Sequence, residues 1–315
     1  MKKKQIIGIC IVAVLIAIYF GIKMYASNIA EKRINFAIAK AVNFVDVDYK
    51  KVSVDLLGMD VRISDILVSP TFAKGKLKIN EIIIHDIDSK SKIPSFLSVS
   101  IKGIELSLKE PWQVVEEIRG LGYTDRLLIN FNANYIYEKG KKEFNVKNIG
   151  IGVDGAGEIN VSFYLGNINL NQKEIFVIPL MFMFGLGTGG GGGSIATQSE
   201  NDPKGMYPHI ILYEAKATYE DASLAERIIK YIAKDYKNIN AEGLKMSFIQ
   251  AIENEIKKEK DDFTKKALVA IKKFIDDPKE LSISVSPSKP CPLGRIMRVD
   301  DLKDIIKLLN IRIKS

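Results

Sequence analysis

Residues that usually build catalytic and metal sites are scarce in this sequence. Its 315 residues include only two histidines, His85 and His209, two cysteines and one tryptophan. The metalloprotease motif HExxH, the hydrolase motif GxSxG and the redox motif CxxC do not occur. Zinc cages and histidine-dependent triads therefore have few groups to draw on. We expect a protein that is not an enzyme and holds no cofactor.

The two cysteines do not predict an internal disulfide. Cys10 lies in an apolar N-terminal run, whereas Cys291 stands between two prolines near the other end of the chain. No basic residue adjoins Cys291 to activate its thiol, so we expect an unreactive thiol. An intermolecular disulfide is the alternative.

Positive charge is present without the pattern of a nucleic-acid interface. The formal net charge is +8, but the lysines are scattered and usually neighbour acidic residues. A nucleic-acid site would cluster Lys and Arg among aromatic side chains. We expect no nucleic-acid partner.

The N-terminal part of the chain contains an uncharged, apolar stretch that follows lysines. Residues 6–22, IIGICIVAVLIAIYFGI, contain no charged side chain and follow three lysines. As a helix they extend about 25 Å, near the minimum for a bilayer. We predict a cytoplasmic head at 1–5, a single transmembrane signal anchor at 6–22 and a juxtamembrane helix at 23–45. A cleaved signal peptide is the alternative, disfavoured because no pair of small residues follows the run at peptidase spacing.

Alternating apolar and polar residues predict an antiparallel sheet over residues 46–184. The period of two is clear in LINFNANYIY and INVSFYL, and we expect about nine to ten strands. The alternation changes parity at Gly103 and again near Lys147-Asn148, which predicts a β-bulge at each place. Such bulges indicate a curved sheet.

Helices follow the sheet in a closing segment at 207–315. This segment contains a strand at 207–220 and helical patterns at 223–236 and 241–277, the last as one broken helix or two. A further helical pattern, at 111–122, interrupts the sheet. Ser223 and Glu226 form a capping-box pattern, and Asp300 can cap a final helix. The fold class predicted is α+β, with C-terminal helices packed on the sheet.

A glycine-rich stretch at 185–206 contains GxGxxG at Gly185, Gly187 and Gly190. A dinucleotide site needs a helix directly after these glycines, but SIATQSENDPKGMYP is polar and broken by proline. A phosphate-binding loop would also need a lysine that this stretch lacks. We interpret it as a flexible linker.

The apolar run FVIPLMFMF precedes those glycines and does not alternate. One interpretation is a central strand covered on both faces. The other is an edge that lines an apolar groove for lipid. The groove candidates are Phe176, Ile178, Leu180, Phe182 and Phe184.

One pair of carboxylates is a candidate cation site. Asp86 and Asp88 share a face at the end of a strand and could hold a divalent cation through oxygen. The alternative is that both carboxylates face water and prevent edge pairing. Asp46 and Asp48 make the same pattern, with the same alternative.

Two stretches resemble AsmA-like bacterial envelope proteins. They are residues 49–88 and 127–170, of which NYIYEKGKKEFNVKNI is similar to the Tyr-x-Tyr hairpins of that family. The resemblance implies an inner-membrane anchor, a periplasmic C-terminal domain and a role in lipid transport or envelope maintenance. It carries no catalytic residues.

These observations together predict a non-enzymatic envelope protein. Its expected partners are the membrane, phospholipid and other envelope proteins. The alternative is a protein-interaction or assembly scaffold with no lipid ligand.

Overall fold

The structure, a computed structural model, describes most of the chain. The described residues are 3–41, 45–70, 76–88, 91, 94–109, 113–169, 209–236, 239–296 and 298–315. The strands are β1 (Val45–Val54), β2 (Val61–Pro70), β3 (Leu77–Ile87), β4 (Phe96–Ser107), β5 (Arg126–Glu138), β6 (Glu143–Val153), β7 (Gly157–Gly166), β8 (Ile211–Asp221), β9 (Glu280–Val285), β10 (Cys291–Pro292) and β11 (Arg312–Lys314).

Helices lie before, between and after the strands. They are α1 (Lys3–Ala41), α2 (Gln113–Gly120), α3 (Leu224–Ala233), α4 (Ala241–Lys258), α5 (Asp262–Asp276), α6 (Leu293–Ile296) and α7 (Leu302–Leu309). The predicted helix over 241–277 is therefore two helices. Asp261 separates them and caps the second through a 2.9 Å hydrogen bond from the Thr264 amide.

The strands of the described residues form one 11-stranded antiparallel sheet. They follow chain order from β1 to β9, with β11 beside β9 and β10 paired with β8. The antiparallel sheet is confirmed, but the predicted count of nine to ten strands is too low. The shortest strands, β10 and β11, carry only two and three residues. Strands this short cannot be predicted from an alternation of apolar and polar residues.

The predicted transmembrane helix at 6–22 is wrong. Within the described residues, no helix combines the length and the apolar composition needed to cross a bilayer. Helix α1 instead runs unbroken from Lys3 to Ala41. Charged residues recur along it, including Lys23 and the run Glu31-Lys32-Arg33, and charge is costly in hydrocarbon. Its C-terminal part contacts β1, where the Asn35 side chain accepts a 2.6 Å hydrogen bond from Tyr49 Oη.

The chain divides into two compact units. Unit 1 comprises residues 1–86 and 98–106, and unit 2 comprises residues 87–97 and 107–315. In unit 1, Ile66, Ile79 and Ile83 are buried. The predicted segments at 46–184 and 207–315 stay predictions, and the linker at 185–206 lies outside the described residues.

The core of unit 2 lies on one face of its strands. Phe144, Phe163 and Leu165 are at most 2% exposed, and Tyr135, Tyr137 and Phe163 each contact the Phe144 ring edge-on at 5.4–6.2 Å. One apolar row runs across five strands through aligned partners. Its members are Ala133, Ile149, Val161, Ala217 and Ile283.

Both predicted parity breaks coincide with irregular backbone. The register between β6 and β7 shifts between Val146 and Ile149, which confirms the bulge at Lys147-Asn148. Gly103 has a φ of 63°, in the left-handed region that a bulge glycine adopts. At Lys147-Asn148 the apolar side chains return to the same face after the extra residue, because Val146 pairs with Phe163 and Ile149 with Val161.

Candidate functional site

The sequence-predicted carboxylates lie at the end of β3 and have different surroundings. Asp88 accepts hydrogen bonds from the Ser95 amide at 3.1 Å and the Ser95 hydroxyl at 2.7 Å, so its carboxylate organises the loop that leads into β4. Asp86 is exposed. Among the described residues, no group of three or more His, Cys, Asp or Glu side chains is arranged to hold a metal ion. Within the described part of the chain, these two carboxylates therefore have no third ligand of that kind.

The five groove candidates, Phe176, Ile178, Leu180, Phe182 and Phe184, lie outside the described residues. The interpretation of FVIPLMFMF as a lipid groove stays a prediction.

His85 joins two polar side chains across strands of unit 1. Its Nδ1 lies 2.9 Å from Asp60 Oδ1, and its Nε2 lies 3.1 Å from Ser100 Oγ. This connectivity matches that of an Asp-His-Ser triad. Ser100, however, lies inside strand β4 rather than on the sharp turn that exposes a nucleophile in hydrolases. We interpret the three residues as a polar cross-strand ladder.

Cys291 is the buried thiol of unit 2. It is 2% exposed, and burial raises the pKa of the thiol, which Arg295 opposes less strongly. A thiol with a raised pKa carries little thiolate at neutral pH, which agrees with the expectation of an unreactive cysteine.

The best candidate site is a groove near the C-terminus of the chain, which we call the cationic groove. It has a volume of about 630 Å³, within the usual range of small-molecule sites. Helix α5, helix α7 and strand β11 supply its walls. The lining residues are Asp261, Asp262, Phe263, Lys266, Ala267, Lys303, Ile306, Lys307, Asn310, Ile311, Arg312, Ile313 and Lys314.

The local sequence explains the shape of the groove. Helix α7, LKDIIKLL, begins after Asp301, which accepts a 2.8 Å hydrogen bond from the Lys303 amide, so the cap is one residue beyond the predicted Asp300. The helix ends at Asn310, whose φ of 48° turns the chain back into β11. Because α7 is amphipathic, its apolar face meets the groove floor and its lysines stand at the rim.

The rim is dominated by cations. Lys303, Lys307, Arg312 and Lys314 are exposed, and among the described residues none of the four forms an ion pair. Lys266 is neutralised by Asp262 at 3.0 Å. The groove therefore presents an excess of positive charge to solvent.

The other acidic residue in the lining, Asp261, is the N-cap of helix α5. The Thr264 amide and hydroxyl both donate to Asp261 Oδ2 at 2.9 Å, and these bonds lower the pKa of the Asp261 carboxyl, with Lys303 adding to the effect. Its charge is thus held at the N-terminus of α5.

The floor of the groove is apolar and continues onto the sheet. Ile306, Ile311 and Ile313 are half-buried. Ile313 is paired with Ile283 of β9, and Ile283 is 45% exposed although it belongs to the apolar row of the core. An apolar path therefore leads from the groove along the edge of the sheet.

Sequence reasoning missed this site. The segment 302–314, LKDIIKLLNIRIK, combines isoleucine and leucine with lysine and arginine, at helical spacing in LKDIIKLL and in alternation in IRIK. This pattern indicates an apolar surface with a basic rim. The sequence did not predict that α5 forms the other wall of the groove, because α5 and the segment 302–314 are about forty positions apart in the chain.

Comparisons with known proteins give a family without an activity. A family model described as "Uncharacterized protein" matches residues 150–315, which is more than half of the chain, so the chain belongs to that family. The match includes the whole cationic groove. A protein of Aquifex aeolicus (strain VF5), also described as "Uncharacterized protein", is 24% identical over 326 aligned positions that cover 98% of each chain.

Proposed function

We propose that this protein binds a lipid with an anionic headgroup in the cationic groove and carries or presents it in the cell envelope, without catalysis. The observation behind the proposal is the combination of an apolar floor with four cations that have no ion-pair partner among the described residues. An acyl chain matches the floor, and a phosphate or carboxylate matches the rim. The resemblance of residues 49–88 and 127–170 to AsmA-like proteins supports the envelope setting.

The expected affinity follows from the two kinds of contact. Each buried methylene contributes about 0.8 kcal/mol, so six contribute about 5 kcal/mol. Two charge-assisted hydrogen bonds add about 1.5–3 kcal/mol each. These contacts total about 8–11 kcal/mol, and association costs at least about 4 kcal/mol. Binding of about 7 kcal/mol, a dissociation constant near 10 μM, is therefore the upper end of the expectation.

The test is lipid binding by the full-length protein. Gentle purification followed by native mass spectrometry should reveal one bound lipid per chain. A fluorescent fatty acid should bind and be displaced by phosphatidylglycerol more effectively than by phosphatidylcholine. A preference for free fatty acid over phosphatidylglycerol would identify the carboxylate as the headgroup that the rim recognises.

Two variants separate the effect of charge in the groove from the effect of the net charge of the protein. Lys303→Glu/Lys307→Glu should weaken binding by about tenfold or more, because it reverses two of the rim charges. The matched control, Lys257→Glu/Lys289→Glu, changes the net charge equally at exposed lysines outside the groove and should bind like the wild type. Equal losses in both variants would show nonspecific attraction and refute the groove as the site.

The scaffold alternative has its own outcome. The lipid proposal would be replaced if the folded protein bound neither the fatty acid nor phosphatidylglycerol at micromolar concentration. The protein would then be expected to be cross-linked in cells to another envelope protein through 302–314.

A further inference from the structure

A second site lies among the polar side chains of unit 2, on the sheet face opposite the apolar row. Aligned strand partners bring one residue from each of five strands into a single polar row. Its members are Asn132, Gly150, Asn160, Thr218 and Ser282. Thr218 is 8% exposed and Ser282 is 7% exposed, so the far end of this row is buried although it is polar.

Gly150 makes the convergence of these polar groups possible. A Cβ atom at this position would lie 2.4 Å from Asn132 Nδ2, 2.6 Å from Asn160 Oδ1 and 2.8 Å from Glu158 Oε1. Three polar side chains therefore lean over the backbone of Gly150 and use the space that any other residue would fill.

The hydrogen bonds among these polar side chains do not include the Asn160 side-chain oxygen. Asn148 Nδ2 donates to Asn132 Oδ1 at 2.6 Å, and Asn132 Nδ2 donates to Glu158 Oε1 at 3.1 Å. Asn160 Oδ1 is buried and has no hydrogen-bond partner among the described residues. A buried acceptor without a donor is unfavourable, so it gains free energy from any ligand that supplies a donor.

A cavity of about 400 Å³ opens beside these groups. Its lining residues are Lys147, Asn148, Glu158, Asn160, Val161, Ser162, Lys216, Thr218, Glu220 and Glu280. We call it the asparagine cleft. The Asn160 side chain already lines the cleft, and its terminal amide torsion is soft, so a small rotation presents Oδ1 to a ligand.

The chemistry of the lining restricts the ligand. Three carboxylates, Glu158, Glu220 and Glu280, disfavour an anion, and two lysines disfavour a polyamine. The three carboxylates are not arranged to hold a metal ion, since no group of three or more His, Cys, Asp or Glu side chains among the described residues has such an arrangement. What remains is a neutral ligand that both donates and accepts hydrogen bonds, which is the property of sugar hydroxyl groups.

An aromatic pair lies further along β7, outside the lining of the cleft. Tyr164 follows Ser162 by two residues on β7 and so shares its face, and its ring stacks on Tyr213 with centroids 4.5 Å apart and planes 20° apart. A hydrogen bond to Glu143 raises the pKa of Tyr164 to about 12, so its hydroxyl stays protonated at neutral pH.

We infer that the asparagine cleft binds a neutral, hydroxyl-rich sugar, with Asn160 Oδ1 as an acceptor and the side chains of Glu158, Lys216 and Glu220 as further hydrogen-bond partners. The inference rests on a different face and different residues from the cationic groove, so neither result decides the other.

The experiment uses the full-length protein and three disaccharides, maltose, cellobiose and N,N′-diacetylchitobiose. Saturation-transfer NMR should detect binding of at least one, and calorimetry should then give its affinity. Asn160→Ala should weaken that affinity by tenfold or more, while the melting temperature stays unchanged or rises, because the removed oxygen has no partner among the described residues of the free protein. Asn145→Ala, an exposed residue of β6 outside the cleft, is the matched control.

Gly150→Ala provides a second variant in case Asn160→Ala does not fold. It should abolish sugar binding by pushing Asn132 and Asn160 apart. The inference is overturned if none of the three sugars binds at millimolar concentration, or if Asn160→Ala lowers the melting temperature and leaves sugar affinity intact. Preferential binding of spermidine or Ca²⁺ at the same residues would equally overturn it.

Discussion

Gly103 offers a quantitative test of the bulge in strand β4. Its φ of 63° lies in the left-handed region, and a Cβ atom there would stand 2.2 Å from Asn80 Nδ2 and 2.7 Å from Asn80 Cγ. Gly103→Ala therefore meets two separate costs. The backbone conformation costs a non-glycine residue about 1–2 kcal/mol. Displacing the exposed Asn80 side chain from its rotamer costs about 0.5–1.5 kcal/mol more.

The sum predicts a loss of about 2–3 kcal/mol in the free energy of unfolding. For a protein of this size that corresponds to a melting temperature lower by about 3–5 °C. Urea denaturation followed by far-UV circular dichroism measures the loss, and the double variant Asn80→Ala/Gly103→Ala separates its two parts. Because the double variant removes the clash but keeps the backbone cost, it should be destabilised by about 1–2 kcal/mol relative to Asn80→Ala.

Two other glycines calibrate the result. Gly155 has a φ of 70°, and a Cβ atom added to it would meet no described atom within 4 Å, so Gly155→Ala should show the backbone cost alone, about 1–2 kcal/mol. Gly140 has neither a left-handed φ nor such a neighbour, and Gly140→Ala should be neutral or stabilise by about 0.4–1 kcal/mol. If Gly103→Ala proved no worse than Gly140→Ala, the bulge would not be where the structure has it.

Three further predictions concern the core, the N-cap of α5 and the polar ladder of unit 1. Phe144→Ala should lower the free energy of unfolding by about 3–5 kcal/mol in urea denaturation, and Phe144→Leu by much less, because the ring is fully buried. The lowered pKa of Asp261 means that its charge stabilises the fold above about pH 4 and that this contribution is lost as pH falls through the folded-state pKa. The melting temperatures of wild type and Asp261→Asn should therefore converge at low pH, and a constant difference down to about pH 2 would contradict the cap. A fluorophosphonate probe should leave Ser100 unlabelled, and labelling that disappears in His85→Ala would instead establish a hydrolase.

The strands were predictable from sequence where alternation was long, and unpredictable where pairing was short. A strand such as β5 shows its two faces over many residues, so its period of two is unmistakable. The two-residue β10 and three-residue β11 have no period and exist because neighbouring strands offer hydrogen-bonding edges. Tertiary pairing, rather than local preference, defines them.

Helix α3 shows how a local motif can be overruled. The capping box expected at Ser223 does not form, because the Ser223 hydroxyl donates to the Gly155 carbonyl instead. Asp221 takes over and accepts a 3.0 Å hydrogen bond from the Ala225 amide. Sequence spacing located the start of the helix within two residues. Which side chain accepts a hydrogen bond from the first amides of the helix was decided by the contact between Ser223 and Gly155, 68 positions apart in the chain.

The N-terminal prediction failed for a different reason. An uncharged run of residues can be part of a longer helix, and α1 continues past 6–22 through a charged region into contact with β1. Composition in a short window does not report where a helix ends, because the ends depend on what the following turns pack against.

Neither candidate ligand site could be identified from one segment of sequence, and the reason is common to both. Each site needs residues from elements that are distant in the chain but adjacent in the fold. The asparagine cleft joins Asn148 of β6 to Glu280 of β9, and the cationic groove joins Lys266 of α5 to Arg312 of β11. In an antiparallel sheet the register carries this information, because a shift of one residue would turn the Asn160 side chain towards the core. The bulge at Lys147-Asn148 sets that register for β6 and β7, so a variant that removes it should lose the asparagine cleft before it loses the fold.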